Sequence, residues 1–203
     1  MTKIKTLDNL RELYTSAKGR ALSKELISLE KHSRNFINLS PFVIIGTSSK
    51  DGYGDVSPRG ETPGFVKVIN DEVIIIPDRP GNNRLDTLSN IVENPSVGML
   101  FLIPGVDETL RINGRAEIRD DISLLEKCLV NGKIPKSVIL VKIKQVYLHC
   151  AKSMIRSKIW QSKFHIDRSL LPSMNVMLSE QTEINGVIEN EEETRKRYLD
   201  TLY

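Results

Sequence analysis

Residues 42–58 read FVIIGTSSKDGYGDVSP, and this stretch decides the fold class. Its first six residues are rich in β-branched side chains, which favour a strand. Asp51 and Gly52 lie in the middle of a polar turn, and extended character resumes at Gly54. An Asp-Gly pair between two such runs is typical of a tight hairpin. The stretch therefore predicts two antiparallel strands.

More strands follow this hairpin along the chain. Short β-branched runs, separated by turns such as Asn70-Asp71 and Pro104-Gly105, predict strands over residues 64–69, 72–76, 96–103, 109–118 and 137–148. Six or seven strands joined mainly by hairpins favour an antiparallel barrel or sandwich over a doubly wound parallel sheet.

Helical patterns surround and interrupt these strands. They predict helices over residues 6–38, divided at Gly19, and over residues 83–93, 120–130 and 151–161. Asn82 or Asn83 is expected to cap the helix over 83–93. The chain is thus expected to divide into an N-terminal helical extension (1–40), a β domain (41–160) and a C-terminal helical extension or tail (161–203).

Composition excludes several protein classes. The chain has 203 residues, of which 39% are hydrophobic and 27% charged, with a net charge of +3, so disorder throughout is excluded. Two cysteines without a CxxC motif do not make a disulfide scaffold. No apolar run reaches the roughly 18 residues of a membrane helix, and no leader pattern stands at the N-terminus. We expect a soluble cytoplasmic protein.

Charge is unevenly distributed. Residues 127–168 carry ten Lys or Arg and a single acid, Asp167. Such a segment can serve nucleic acid, anionic lipid or a small phosphorylated ligand, or it can be a solvated face. Aromatic residues make up only 5% of the chain, which argues against nucleic acid.

The chain lacks the common catalytic signatures. It contains no GxGxxG motif after a strand, no P-loop, no HExxH and no GxSxG. His32, His149 and His165 fall in different predicted elements without metal-ligand spacing, so no metal site is predicted. No side chain is singled out as a catalytic acid, base or nucleophile.

The segment over residues 77–86, PDRPGNNRLD, is the first candidate for ligand binding. It leaves a strand, turns at Pro80-Gly81 and enters a helix, so Arg84 is expected in the first helical turn. A cation there opposes the helix dipole unless an anion is bound. Free N–H groups, cap side chains and an arginine together suit a phosphate. The alternative is an ordinary helix start with a surface arginine.

Two strand segments carry further polar candidates. Ser57 and Arg59 flank Pro58, which ends or bulges its strand because proline donates no hydrogen bond. In the later strand, alternation places Thr109 and Arg111 on one face with Asn113 and Arg115. Either set can bind a ligand. The alternative for the first set is an ordinary strand end, and for the second set it is the solvent-exposed face of an antiparallel sheet.

The predicted helix over residues 151–161 is the last candidate. Lys152 and Arg156 are neighbours one turn apart and repel each other unless an anion lies between them. Trp160, the only tryptophan, follows one turn later. Cations beside an aromatic ring suit a flat anionic cofactor, whereas the simpler interpretation is an amphipathic helix with a packing tryptophan.

The order and spacing of these segments resemble the FMN-binding split-barrel flavoproteins of the pyridoxamine 5'-phosphate oxidase-like superfamily. The resemblance covers most of residues 41–160 and is carried by DVSPRG (55–60), PDRPGNNR (77–84), ENPSVGMLF (93–101), ETLR (108–111) and NGRA (113–116). It implies a mainly β fold with flanking helices, a six-stranded antiparallel Greek-key split β-barrel. It also implies a homodimer with FMN in two clefts between the subunits.

The resemblance also assigns roles to residues. The FMN phosphate would lie at Asn82, Asn83 and Arg84, and the flavin edge would follow Ile76, Pro77 and Asp78. The other positions that match cofactor-binding positions are Ser57, Pro58 and Arg59 on the early strand, Thr109 and Arg111 on the later strand, and Lys152, Ser153 and Arg156, supplied by the second subunit.

The resemblance implies an FMN-dependent oxidoreductase that acts on a small-molecule substrate. The early strand lacks the Arg…Lys pair of the pyridoxamine phosphate oxidases, and the C-terminal Arg-x-His motif has no clear match, which argues against vitamin B6 oxidation. The alternative is a binding protein for a flavin, a deazaflavin or haem without turnover, since fold does not determine function.

Overall fold

The structure is a computed structural model of the chain, and it describes residues 3–182 and 189–203. The predicted N-terminal and C-terminal extensions each contain residues that lie outside this range, namely 1–2 and 183–188.

An antiparallel sheet of seven strands forms the centre of the fold, in the order β2-β1-β5-β6-β7-β4-β3. The strands are β1 (Phe42–Ser48), β2 (Gly54–Gly60), β3 (Lys67–Val68), β4 (Val73–Pro77), β5 (Ser96–Leu102), β6 (Thr109–Arg119) and β7 (Val138–His149). This confirms the mainly β split-barrel fold, with one strand more than the resemblance implies. The non-sequential neighbours β1–β5 and β4–β7 supply its Greek-key crossovers.

The sheet coils around one apolar core. Side chains alternate along each strand, and the inward ones of five strands meet in a single cluster that includes Val43, Ile74, Phe101, Ile112 and Val141. Because β1 and β4 are separated by three strands in the sheet order, their shared core shows that the sheet curves back on itself.

A β-bulge in β7 keeps this alternation intact over a long strand. The pairing of β6 with β7 shifts where Asn113 faces Gln145 and Gly114 faces Ile143, so Lys144 is the extra residue. The shift brings Val146 back into the core after Ile143. Gly114 is required at this crossing, since an added Cβ would lie 2.5 Å from the Lys142 carbonyl oxygen.

Eight helices lie around the sheet in the described part of the chain. They are α1 (Leu7–Leu13), α2 (Arg20–Ser23), α3 (Lys31–Leu39), α4 (Asp86–Glu93), α5 (Ile122–Leu125), α6 (Lys152–Ser157), α7 (Met174–Thr182) and α8 (Glu191–Asp200). Leu29 and Ile37, in and just before α3, belong to the barrel core although they lie in the predicted N-terminal extension. None of these helices is both long and apolar enough to cross a membrane.

Several predicted elements are shorter than the sequence pattern suggested. The helix over 120–130 is only α5 followed by a 3-10 turn at Glu126–Cys128, and the strand over 64–69 is only β3. The helical N-terminus divides into three helices rather than two. Element ends depend on local hydrogen bonds that a periodic pattern does not specify.

The segment before α3 pairs with the free edge of β7. The Leu26 N–H donates to the Val146 carbonyl at 3.0 Å, and the Val146 N–H donates back at 2.8 Å. The Leu29 N–H donates to the carbonyl of Asp71 at 2.7 Å. These bonds cover the part of β7 that β4 does not reach, which avoids an exposed strand edge.

Candidate functional site

The edge strand β2 presents a row of polar side chains to the inside of the barrel. Asp55, Ser57 and Arg59 pair with Thr47, Ile45 and Val43 of β1. Directly opposed residues share a face of the sheet, and these β1 residues are buried. The three polar residues are therefore half-buried on the inner face of β2, which we call the β2 ledge. Pro58 alternates with them and is exposed on the outer face.

Helix α4 is attached to this ledge through a polar network. The Asp55 carboxylate accepts hydrogen bonds from the hydroxyls of Thr87, at 3.3 Å, and Thr47, at 3.5 Å. The Asn90 amide donates to the Thr47 hydroxyl at 3.1 Å. These bonds set the start of α4 directly beside the first residue of the ledge.

The start of α4 differs from the predicted one. The helix begins at Asp86, and its N-cap residue is Leu85 in the left-handed conformation, with φ of 60° and no side-chain cap. The prediction that Asn82 or Asn83 caps the helix is wrong, because the Asn82 side chain instead accepts from the Arg84 N–H at 3.1 Å. Arg84 accordingly precedes the helix rather than lying in its first turn.

This uncapped helix start has an unusual backbone conformation. Asn83 is also left-handed, with φ of 57°, so two residues just before α4 adopt a conformation that is rare outside glycine. The dipole of α4 adds positive potential at this end of the helix. Backbone strain of this kind clusters at ligand sites.

Arg84 stands beside this helix start and is open to solvent. Its Nε lies 2.8 Å from Asp86 Oδ2, and the two side chains are 73% and 51% exposed. The hydrogen bond and charge of Asp86 raise the pKa of the guanidinium above its usual value. Exposed ion pairs are weak. Arg84 is therefore held only by a weak local contact.

At the other end of the ledge, Arg59 meets the end of β4. The Arg59 guanidinium donates to the Ser57 hydroxyl and, at 3.0 Å, to the Pro58 carbonyl. Burial raises the pKa of the Asp78 carboxyl, and the charges of Arg59 and Lys136 oppose that rise. Lys136 was not singled out from the sequence, although it lies in the basic segment 127–168.

A buried ion pair joins the ends of β2 and β4. Arg79 Nε lies 2.7 Å from Glu61 Oε2, with side chains only 17% and 4% exposed. Arg79 also donates to the Cys128 carbonyl at 2.8 Å, and its guanidinium lies 5.5 Å from the centre of the Tyr203 ring. Because β2 and β4 are not neighbours in the sheet order, this ion pair links two parts of the chain that no ladder hydrogen bond connects. Sequence reasoning missed Glu61, and no local pattern marks it.

The predicted site residues fall into two groups. The first group is Ser57 and Arg59 on the ledge itself, and Asp78, Asn82, Asn83 and Arg84 in the segment between β4 and α4. Ile76 and Pro77 lie next to them but are buried, opposite Ile139 and Val138.

The second group lies on β6 and α6. Thr109 is buried at the start of β6, whereas Arg111 is exposed on the outer face of the same strand. Lys152, Ser153 and Arg156 are exposed on α6. Within the part of the chain that the structure describes, no side-chain hydrogen bond or ion pair connects this group with the ledge.

Comparison with known proteins identifies the family. The family profile described as pyridoxamine 5'-phosphate oxidase matches residues 29–150. No curated protein sequence matches the chain.

Solved structures of similar fold share little sequence with this chain. HupZ from group A Streptococcus is 17% identical, with 59% of this chain and 93% of HupZ covered and a TM-score of 0.49. A putative pyridoxamine 5'-phosphate oxidase from Lactobacillus delbrueckii is 18% identical, with 60% of this chain and 99% of that protein covered and a TM-score of 0.46. An FAD-binding protein from Mycobacterium smegmatis is 15% identical, with 61% of this chain and 97% of that protein covered and a TM-score of 0.44.

Proposed function

This chain belongs to the pyridoxamine 5'-phosphate oxidase family, and from that premise we propose that it is an FMN-binding flavoprotein and an oxidoreductase acting on a small molecule. The observation that carries the proposal is the uncapped start of α4, where Asn83 and Leu85 are left-handed and Arg84 is exposed. That arrangement suits the phosphate of FMN, which carries close to two negative charges.

The residues of the ledge fit the rest of the cofactor. Asn82, Asn83, Arg84 and the first N–H groups of α4 would hold the phosphate. Ser57 and Arg59 would donate hydrogen bonds farther along β2, with Lys136 supplying a further positive charge near Asp78. Ile76 and Pro77 are buried, so they would face the flavin through their main chain rather than their side chains.

The chemistry would come from the flavin, which accepts and donates hydride when bound. The protein would bind the phosphate, orient the ring and supply positive charge. Cations close to the ring favour its reduced anionic form, which raises the reduction potential.

We further propose a homodimer with a cofactor cleft between the subunits. The outer face of β1, β2 and β5 is apolar, with Val56 70% exposed, Phe42 37% exposed, and Gly46 opposite Gly98. Burying this face against a second copy would remove it from water. The second subunit would then supply Lys152, Ser153 and Arg156, which are exposed on α6.

The test is the absorption spectrum of the purified full-length protein, with the released cofactor identified by mass. We expect the two visible bands of oxidised flavin and the mass of FMN. A colourless protein that does not bind added FMN would contradict the proposal. A deazaflavin or haem spectrum would mean that the cofactor is that molecule rather than FMN. FMN that NADH and NADPH do not reduce would favour a binding protein without turnover.

A further inference from the structure

A groove of about 480 Å³ lies between the end of α4 and the strands β6 and β7. Its lining combines apolar residues at the end of α4 with charged residues of the two strands. We call it the β6–β7 groove. Cavities of roughly 300–1,000 Å³ are usual for small-molecule sites. None of the candidate cofactor residues is part of this lining, so the groove is distinct from the candidate flavin site.

The side of the groove next to α4 is apolar. Ile91, Val92 and Pro95 line it, and Val92 is 75% exposed. The Ala116 N–H donates to the Pro95 carbonyl at 2.7 Å, which holds the end of α4 against the edge of β6 that pairs with β5. A hydrocarbon group bound on this side would be removed from water, which is favourable.

The opposite side, toward β7, carries positive charge. Arg115 of β6 and Lys142 of β7 are directly opposed, so their side chains share one face of the sheet with Cβ atoms about 5 Å apart. Both residues line the same groove. One oxyanion bound over this pair is therefore within reach of both cations. Lys144, the extra residue of the β-bulge, is a third cation in the lining.

These cations are only partly neutralised within residues 3–182 and 189–203. Glu117 is the single carboxylate in the lining, and its Oε1 already accepts a hydrogen bond from Arg119 at 3.0 Å. Its Oε2 lies 3.9 Å from Lys142 Nζ, and this contact is weak because both side chains are exposed. Arg115 and Lys144 form no ion pair in that part of the chain. An oxyanion would reduce the repulsion among the cations and accept charge-assisted hydrogen bonds.

We propose that the β6–β7 groove binds a small organic anion with an apolar body. Its carboxylate or phosphate contacts Arg115 and Lys142, and its hydrocarbon part packs against Val92 and Pro95. The C-terminal end of α4 carries negative partial charge, which favours this orientation over the reverse one. The site does not depend on the proposed flavin, since Arg84 precedes the other end of α4, about 12 Å away along the helix axis.

The test uses backbone amide NMR of the full-length protein at constant ionic strength in chloride. Hexanoate and hexyl phosphate are titrated in separate series, which distinguishes the two head groups. Acetate supplies the head group alone, and hexan-1-ol supplies the hydrocarbon alone. We expect saturable shifts at residues 92, 115 and 142 with hexanoate, hexyl phosphate or both. Acetate and hexan-1-ol should each bind at least tenfold more weakly than the better of the two anions.

Variants of the opposed pair test the cationic side. Arg115→Gln and Lys142→Gln should each weaken binding of that anion at least fivefold, and their melting temperatures should stay close to the wild type because both side chains are exposed. Arg115→Lys, which retains the charge, should recover part of the affinity. Lys127→Gln is the matched control, because Lys127 is an exposed cation outside the groove, and it should change affinity less than twofold.

Three results would overturn the inference. They are wild-type affinity in both Arg115→Gln and Lys142→Gln, binding of hexan-1-ol as tight as that of the anions, and the absence of saturable shifts with either anion. FMN affinity is measured in the same variants and should not change. Failure of the wild type to bind FMN, with Arg115-dependent anion binding intact, would contradict the proposed function alone.

Discussion

Arg79 and Arg84 lie five positions apart in the segment between β4 and α4, yet their environments are opposite. Arg79 is 17% exposed and bonds to Glu61 and to the Cys128 carbonyl. Arg84 is 73% exposed, and its partner is Asp86, two residues along the chain. The first arginine connects distant parts of the fold, whereas the second makes only a local contact.

The comparison separates a structural charge from one available to a ligand. A buried guanidinium must keep its partner, since an unpaired charge in the interior is costly. An exposed guanidinium can exchange its carboxylate for a phosphate at little cost. Both arginines follow turn-forming residues, so residue type alone does not distinguish them.

The largest expected effect tests the structural member of the pair. Arg79→Ala should destabilise the protein by about 3–5 kcal/mol, because it leaves the Glu61 carboxylate buried without a partner. Urea unfolding followed by circular dichroism measures the change. The double variant Glu61→Gln/Arg79→Met should lose much less stability, because it leaves no unpaired charge in the interior. A loss below about 1 kcal/mol in Arg79→Ala would show that the ion pair contributes little to holding the ends of β2 and β4 together.

The second prediction concerns the arginine assigned to the phosphate. Arg84→Ala should weaken FMN binding by about tenfold or more, because it removes a charge-assisted contact. The melting temperature without FMN should not change, since the side chain is exposed. Flavin fluorescence titration gives the affinity. Arg84→Lys, which retains the charge, should recover part of it, and wild-type affinity in Arg84→Ala would contradict the phosphate assignment.

A pH-dependent effect is expected at Asp78, the residue before Arg79. Burial raises the pKa of its carboxyl in the folded state, so the folded chain holds that proton more tightly than the unfolded chain. The stability associated with this proton is present at low pH and is lost as pH rises through the folded-state pKa. Asp78→Asn removes that loss.

At pH 7 the Asp78→Asn variant should therefore melt higher than the wild type, by roughly 2 °C. The difference should shrink as pH falls below about 3, where the carboxyl is protonated in both states. Calorimetry at several pH values measures it. A variant that melts lower than the wild type at pH 7 would show that the contacts of Asp78 with Arg59 and Lys136 outweigh its burial.

The smallest expected effect tests the strained start of α4. Leu85 has a φ of 60° and is 51% exposed, so its side chain adds little packing to offset the unfavourable backbone. Leu85→Gly should stabilise the protein by about 0.5–1 kcal/mol. Val92→Gly, at an exposed position within the same helix, should destabilise it and serves as the control. Destabilisation by Leu85→Gly would mean that the leucine packs against a neighbour.

The local sequence predicted the elements of the sheet well and the start of α4 poorly. Strand β1 and its hairpin follow from β-branched content and an Asp-Gly turn, and both are local properties. The cap of α4 does not follow from local sequence. Asn82 can bond either to a helix N–H or to the Arg84 N–H, and the attachment of α4 to Asp55 decides between these two bonds. The roles of the candidate cofactor residues are still predictions.

Contacts between residues far apart in the chain explain the features that could not be predicted from the local sequence. Glu61 and Lys24 belong to unremarkable local patterns, and their contacts with Arg79 and Tyr147 exist only in the folded chain. The first contact depends on how far the sheet curls, and the second on the pairing of Leu26 with Val146 of β7. Neither the curvature of the sheet nor this long-range pairing is encoded in a short window of residues.

The sequence by itself determined the antiparallel strands and their order along the chain, and it contains a set of polar segments whose order resembles the pyridoxamine 5'-phosphate oxidase-like family, the resemblance that implies the barrel. Alternation and turn chemistry are sufficient for that, since they act between near neighbours. Only the tertiary structure decided which arginine is buried and which is exposed, and which cations line the β6–β7 groove. Burial and long-range register are properties of the folded chain, because they arise when the strands close around one core.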